Sequence, residues 1–220
     1  MKTDPLHRLR EVMDRLRSPG GCPWDREQDH QSLTRYLLEE SYEFIDAIER
    51  GDRDEMVEEL GDLLLQVFFH ARIAEEREDR PFDIDAVAER VTEKLISRHP
   101  HVFNPDQSDE LSSSSDVLKN WERIKNDEKE RSDIFDGVPI GQPALSLATK
   151  YLQRASKNSK TLPTSSIDDA IIDLQHGEVG EALLAIVRLA VENGIDPESE
   201  LRRATLRFSE SIDRGVDRGR

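Results

Sequence analysis

Residues 33–68 read LTRYLLEESYEFIDAIERGDRDEMVEELGDLLLQVF, and they carry the clearest structural signal in the chain. Apolar residues recur at helical intervals on both sides of Gly51. They are Leu33, Leu37, Phe44, Ile45 and Ile48 before the glycine, and Met56, Val57, Leu60, Leu64, Val67 and Phe68 after it. Gly51 is placed like a glycine that ends a helix, and Asp52 or Asp54 can cap the next one. The stretch therefore predicts two long helices that fold back as an antiparallel hairpin.

Acidic residues lie at matching positions on these two predicted helices. Glu43 lies eight residues before Gly51 and Glu59 eight after it, while Glu40 and Asp62 lie eleven residues away on either side. In a hairpin, equal distance from the turn means equal height, roughly 12 Å for the first pair and roughly 16 Å for the second. Four carboxylates should then converge, although like charges repel. A hard divalent cation is the simplest reason for such a group, and Mg²⁺ fits best because few carboxylates hold it.

A solvated acidic helix face is the alternative interpretation of the same residues. Other acids in the stretch need no metal, namely Asp46, Glu49, Asp54 and Glu55. The symmetry about the turn favours the metal site, and the lack of accompanying Cys or His argues against zinc.

Composition limits the classes of function. The formal net charge of −16 in 220 residues, with no basic stripe, argues against a nucleic-acid partner. The sequence has no apolar run of about 18 residues, so no membrane span is expected. A single cysteine, Cys22, excludes an internal disulfide, and a reducing cytoplasm is the expected location.

The rest of the chain also follows helical patterns, and no convincing strand alternation is found. Residues 22–25 are expected to form a loop or a short turn. The predicted helices outside the central stretch cover 6–16, 85–99, 117–131, 144–155, 167–174, 179–191 and 197–212. The fold class predicted is all-α.

Several motifs resemble those of the MazG family of all-α nucleoside triphosphate pyrophosphohydrolases. The decisive ones are Glu39-Glu40-Ser41-Tyr42-Glu43 followed after fifteen residues by Glu59-Leu60-Gly61-Asp62. The others are Gly21-Cys22-Pro23-Trp24-Asp25, Arg98-His99-Pro100-His101-Val102-Phe103 and Asn120-Trp121-Glu122-Arg123-Ile124-Lys125. The resemblance implies an antiparallel helical bundle that hydrolyses nucleoside triphosphates to the monophosphate and pyrophosphate with Mg²⁺, often to remove unwanted nucleotides. Mn²⁺ is the alternative ion.

The resemblance also implies roles for the acidic residues. Glu40, Glu43, Glu59 and Asp62 correspond to metal ligands. Glu39 corresponds to a residue that supports the site or orients the attacking water.

Substrate-binding candidates come from outside the acidic set. Lys94 and Arg98, one helical turn apart, match positions that resemble phosphate contacts in the family, and Lys125 is a further candidate of this kind. Trp24 either stacks on the base or packs onto the core, and packing is the preferred interpretation. His30 either approaches the base or serves as a structural histidine.

The second half of the chain resembles a degenerate copy of the first. Glu178-Val179-Gly180-Glu181 resembles Glu59-Leu60-Gly61-Asp62, but no Glu-Glu-x-x-Glu precedes it. We therefore expect a catalytic module over 1–135, a linker over 136–143 and a catalytically empty helical module over 144–220. Relatives of this type are homodimers, so a homodimer is expected here.

Two other classes of function compete with the enzyme. A non-catalytic helical regulatory or interaction module would keep the fold and release no pyrophosphate. A di-iron bundle needs two helical Glu-x-x-His elements, and the sequence supplies one, Glu27 to His30. Within the enzyme class, a narrow dNTP or dUTP hydrolase is the nearest alternative.

Overall fold

The computed structural model describes residues 4–104, 113–127, 133–158 and 166–216. Side chains are not described for Glu122, 125–127 and 213–216. The chain divides into two compact units, Met1–Ile124 and Lys125–Arg220. Within the described residues the regular structure is helical and no strand occurs, which confirms the all-α prediction.

The described residues of the first unit form seven helices. They are α1 (Pro5–Arg17), α2 (Pro23–Glu27), α3 (Thr34–Arg50), α4 (Arg53–Glu75), α5 (Ile84–Arg98), α6 (Pro100–Phe103) and α7 (Ser114–Asp127), the last of which runs past the division between the units. Residues 22–25, expected to be a loop or turn, lie largely in α2, because Pro23 at the first helical position already has the backbone angle that a helix needs.

Aspartates start three helices of this unit. Asp4 accepts the N–H of Leu6, Asp52 accepts those of Asp54 and Glu55, and Asp83 accepts that of Ala86. Each carboxylate satisfies a backbone donor that has no partner within the helix.

The core of the first unit lies where α1 and the start of α3 meet the second half of α4. Its buried side chains are Met13, Leu33, Phe68, Phe69 and Ile73. Because Leu33 immediately precedes α3 and is 1% exposed, it fixes the beginning of α3 against α4.

The second unit contains α8 (Ala144–Lys157), α9 (Ile167–Gln175), α10 (Val179–Glu192) and α11 (Pro197–Val216). Ala170, Ala182 and Ala185 form a buried cluster between α9 and α10. Arg154 of α8 donates hydrogen bonds to the carbonyls of Ile134 and Asp136, 3.0 and 2.6 Å away. Part of the predicted linker region therefore packs within this unit, and the predicted domain limits remain a prediction.

Across the described ranges, no helix combines the length and the apolar character needed to cross a membrane.

Candidate metal centre

A two-residue turn brings α3 and α4 together. Gly51 has a φ of 70°, a left-handed conformation that costs glycine little, and its N–H donates to the carbonyl of Ile48 at 3.1 Å. The N–H of Asp52 donates to the carbonyl of Ala47, and its carboxylate caps α4. Arg50 pairs with Glu55 across the turn. The two helices therefore leave the turn as the antiparallel hairpin that the sequence predicts.

Three carboxylates converge between these helices. One oxygen from each of Glu40, Glu43 and Glu59 lies within 4.8 Å of the others. Glu40 and Glu43 are one helical turn apart on α3, and Glu59 faces them from α4, since it lies as far from the turn as Glu43. Oxygens at this separation can hold a divalent cation.

The convergence of these carboxylates raises the pKa of two of them. The pKa of Glu40 is raised to about 7, first by burial and then by the charges of Asp62, Glu43 and Glu59. The pKa of Glu59 is also raised, first by burial and then by Glu43 and Asp62. Asp62 therefore belongs to the same electrostatic cluster, although it is not among the three residues whose oxygens lie within 4.8 Å of one another, so the predicted convergence of all four carboxylates is met by three. A bound dication would remove this repulsion, so the donor set fits a hard metal ion.

Glu39 lies beside this cluster without joining it. Its side chain is exposed, because adjacent helical residues point about 100° apart and Glu40 faces α4.

The two predicted phosphate-binding residues differ in their surroundings. Lys94 is exposed on α5, whereas Arg98, at the end of the same helix, is 8% exposed. The guanidinium carbon of Arg98 lies 5.5 Å from the ring centroid of Trp121 on α7. This contact cannot be predicted from spacing, since Arg98 and Trp121 are too far apart in the chain to share a helical period. Lys125 lies on α7, and its side chain is outside the described part of the structure.

The aromatic candidates contact the core. The Trp24 ring makes edge contacts with Tyr36 and Phe69, at 5.9 and 6.4 Å between centroids, while 48% of the residue stays exposed. His30 Nδ1 lies 2.8 Å from His70 Nδ1 on α4. Both arrangements favour the structural interpretations of these residues.

The second unit forms a different hairpin. Helices α9 and α10 are joined through Gly177, which has a φ of 82°. Glu178 precedes α10 and Glu181 lies in its first turn, so both are next to the turn, unlike Glu59 and Asp62. Within 133–158 and 166–216, no group of three His, Cys, Asp or Glu side chains is placed to hold an ion. That this unit is catalytically empty remains a prediction.

The fold and the carboxylate cluster define an all-α protein with a candidate metal-binding site on a helical hairpin. The model of the MazG nucleotide pyrophosphohydrolase domain matches residues 28–103, which include both helices of the hairpin. The nucleoside triphosphate pyrophosphohydrolase/pyrophosphatase MazG of Thermotoga maritima is 41% identical, over 92% of this chain and 82% of its own. The chain belongs to the MazG family.

Two further similarities extend this comparison. The nucleoside triphosphate pyrophosphohydrolase of Mycobacterium tuberculosis is 45% identical over 91% of this chain, which spans 55% of that longer relative. A crystal structure of a MazG-related protein from Thermotoga maritima is 29% identical and covers 55% of this chain and 98% of its own, with a TM-score of 0.45.

Proposed function

We propose that this chain hydrolyses nucleoside or deoxynucleoside triphosphates to the monophosphate and pyrophosphate, with Mg²⁺ held by the hairpin carboxylates. The convergence of Glu40, Glu43 and Glu59 within 4.8 Å is the observation that carries the proposal. The names of the mycobacterial and Thermotoga relatives support the same activity. We propose that the chain acts in the cytoplasm as a homodimer and removes unwanted nucleotides.

Glu40, Glu43, Glu59 and Asp62 are the proposed metal ligands. All four share one electrostatic cluster, in which the pKa of Glu40 is raised by burial and by its acidic neighbours. Mg²⁺ is favoured because it combines a few carboxylates with substrate phosphates, and Mn²⁺ is the alternative ion. When bound, such an ion neutralises phosphate charge and lowers the pKa of a coordinated water.

Residues around the cluster complete the proposed site. Lys94 and Arg98 would hold the anionic phosphates, and the contact between Arg98 and Trp121 would keep the guanidinium in one position. Glu39 would orient the attacking water from its exposed place beside Glu40. The water oxygen forms a new bond to phosphorus, the bridge between the α- and β-phosphates breaks, and pyrophosphate leaves.

A nucleotide panel tests this proposal. The full chain is incubated with each NTP and dNTP with Mg²⁺ or EDTA, and pyrophosphate and orthophosphate are measured separately. We expect pyrophosphate as the first product and its loss in EDTA. Orthophosphate as the first product would show that another bond is cleaved.

Matched variants assign the activity to the cluster. Glu40→Gln and Glu43→Gln should each reduce Mg²⁺-dependent pyrophosphate release by about 10²-fold or more. Each variant removes a proposed ligand of the metal ion, whose positive charge stabilises the transition state. Asp46→Asn makes the same chemical change on the exposed side of α3 and should leave the rate near that of the wild type. Full activity in both glutamine variants would refute the assignment.

The second candidate function is a non-catalytic helical module. Its support is that the described part of the second unit has no comparable carboxylate group, whereas the convergent Glu40, Glu43 and Glu59 of the first unit argue against it. This module would release no pyrophosphate from any nucleotide, so the same panel separates the two functions.

A further inference from the structure

Two histidines join the turn that leads into α3 to the far half of α4. His30 Nδ1 and His70 Nδ1 are 2.8 Å apart, and the two rings are nearly parallel, with 8° between their planes and 5.1 Å between centroids. At this distance one Nδ1 donates a proton and the other accepts it. The contact links residues forty positions apart in the chain.

The histidine pair lies at the end of the α3–α4 hairpin that is opposite the Gly51 turn. The Gly51 turn closes one end of the α3–α4 hairpin, and the carboxylate cluster lies between that turn and the histidines. His70 lies nineteen residues beyond Gly51, roughly 28 Å along α4. The imidazole pair therefore ties the hairpin at its open end.

His30 belongs to a structured turn that leads directly into α3. The Asp29 carboxylate accepts the N–H of Ser32 at 2.7 Å, and the carbonyl of Asp29 accepts that of Leu33 at 3.3 Å. The carbonyl of His30 itself accepts the hydroxyl of Thr34, the first residue of α3. Movement of His30 away from α4 would therefore disturb the first turn of the helix that carries Glu40 and Glu43.

We propose that His30 and His70 form a proton-sensitive clamp, closed while at least one Nδ1 is unprotonated and released when both rings are protonated. The neutral pair holds one N–H···N bond, and a single added proton converts it to a charge-assisted bond, which is stronger. A second added proton places two N–H groups and two positive charges against each other. This inference does not depend on the proposed catalytic activity.

The surroundings favour neutral His70. Its pKa is lowered by burial first and by the charge of His30 second. Charged groups on the elements around the pair are Asp29, next to His30 in the chain, and Arg17 of α1, which contacts the Gln28 carbonyl and Glu76 of α4. The pKa of Asp29 is lowered chiefly by the N–H of Ser32 and in smaller part by His30. Arg17 is bonded to the carbonyl of Gln28 and paired with Glu76, so the two neutralise each other.

Proton uptake sets the expected pH dependence. Because the folded-state pKa of His70 is lowered, the clamp contributes full stability above the ordinary histidine pKa of 6.5, and this contribution is lost as pH falls through the lowered value. Opening that takes up one proton becomes about tenfold more favourable for each pH unit within that interval.

Hydrogen exchange of the full chain measures this opening. The amides of Ser32, Leu33 and Thr34 should lose protection by about tenfold per pH unit as pH falls below 6.5, after correction for the chemical exchange rate. His30→Asn keeps a hydrogen-bonding atom near the Nδ1 position without a titratable ring, so this pH dependence should weaken to the part that the burial of His70 causes by itself. His176→Asn, at the end of α9 in the second unit, should behave like the wild type.

Imidazole ¹⁵N NMR of the wild type provides a test that needs no variant. At pH 8 we expect the proton on Nδ1 in one ring of the pair and on Nε2 in the other, and we expect the pKa of His70 to rise in His30→Asn. Nε2 protonation in both rings would overturn the proposal. An unchanged His70 titration in His30→Asn, or protection in residues 32–34 that does not vary with pH, would do the same.

Discussion

Replacement of Glu40 by Gln should stabilise the metal-free protein at alkaline pH, although it removes a proposed metal ligand. Glu40 lies close to Glu43, Glu59 and Asp62, so the ionisation of Glu40 places another negative charge next to theirs. Gln has nearly the same shape and no charge. The change therefore removes repulsion that otherwise only a bound cation would relieve at alkaline pH, where Glu40 is ionised.

The magnitude follows from the pKa of Glu40, which is raised from its ordinary value of 4.5 to about 7. That displacement is equivalent to about 3.4 kcal/mol at about 1.36 kcal/mol per pH unit. Because the side chain is partly exposed, solvent screening reduces the expected effect to about 1–2 kcal/mol.

The sign is set by the raised folded-state pKa. Wild-type stability from this group is complete below pH 4.5, where the carboxyl is protonated in both states, and is lost as pH rises through about 7. The gain in Glu40→Gln should therefore be absent near pH 4 and complete above pH 7.

Urea unfolding of the full chain checks this expectation. The two tryptophans, Trp24 and Trp121, both lie in the first unit, so their fluorescence reports on the unit that carries the site. In EDTA at pH 8 the variant should unfold at higher urea than the wild type. With Mg²⁺ at about 100 times its Kd, the wild type should gain about 2.7 kcal/mol and the variant much less.

Asp46→Asn is the matched control, because it removes an exposed acid from the same helix. It should change stability by less than about 0.5 kcal/mol. A Glu40→Gln variant that is no more stable than the wild type in EDTA at pH 8 would refute the argument from crowded carboxylates.

Substitutions at three further positions test the scaffold by urea unfolding. Gly21→Ala should cost about 1–3 kcal/mol, because the added Cβ would lie 2.2 Å from the carbonyl oxygen of Leu16, and an unchanged midpoint would contradict this packing. Gly51→Ala should cost about 1 kcal/mol because of the φ of 70° alone, since an added Cβ would meet open space. Gly51→Asn should cost less, because Asn adopts this left-handed conformation more readily. Equal costs for the two variants would show that the left-handed backbone conformation is not the cause. Arg17→Met should cost about 1–3 kcal/mol, because it breaks the pair with Glu76 and removes the Arg17 donor from the partly buried carbonyls of Asp25 and Gln28. Arg17 lowers the pKa of Glu76, so the cost of Arg17→Met should shrink as pH falls below 4.5, and a pH-independent cost would argue against the ion pair.

Local signals predicted the hairpin well. Gly51 and Asp52 carry the turn and the cap that their residue types predict, and α3 and α4 follow the expected apolar periodicity. These features depend on backbone preferences and on contacts within a few residues, so a linear sequence contains them. Equal distance from the turn also predicts the observed proximity of Glu43 and Glu59.

Contacts between distant segments were harder to predict. Nothing in the spacing indicated that Arg17 would be buried against Glu76, or that His30 would pair with His70. The short helix α2 was also missed, because five residues are too few to show a helical period. Trp121 beneath Arg98 belongs to the same class of contact.

By itself, the sequence determined the all-α class, the hairpin about Gly51 and the candidate acids, since helical period, turn chemistry and the positions of charged residues are properties of the chain order. Tertiary structure alone decided which of these acids meet and which face solvent. Glu39 and Glu40 are neighbours in the chain, yet Glu40 faces α4 while Glu39 is exposed. The rotation of α3 against α4, set by the burial of residues such as Leu33 in the core, separates their environments and raises the pKa of Glu40.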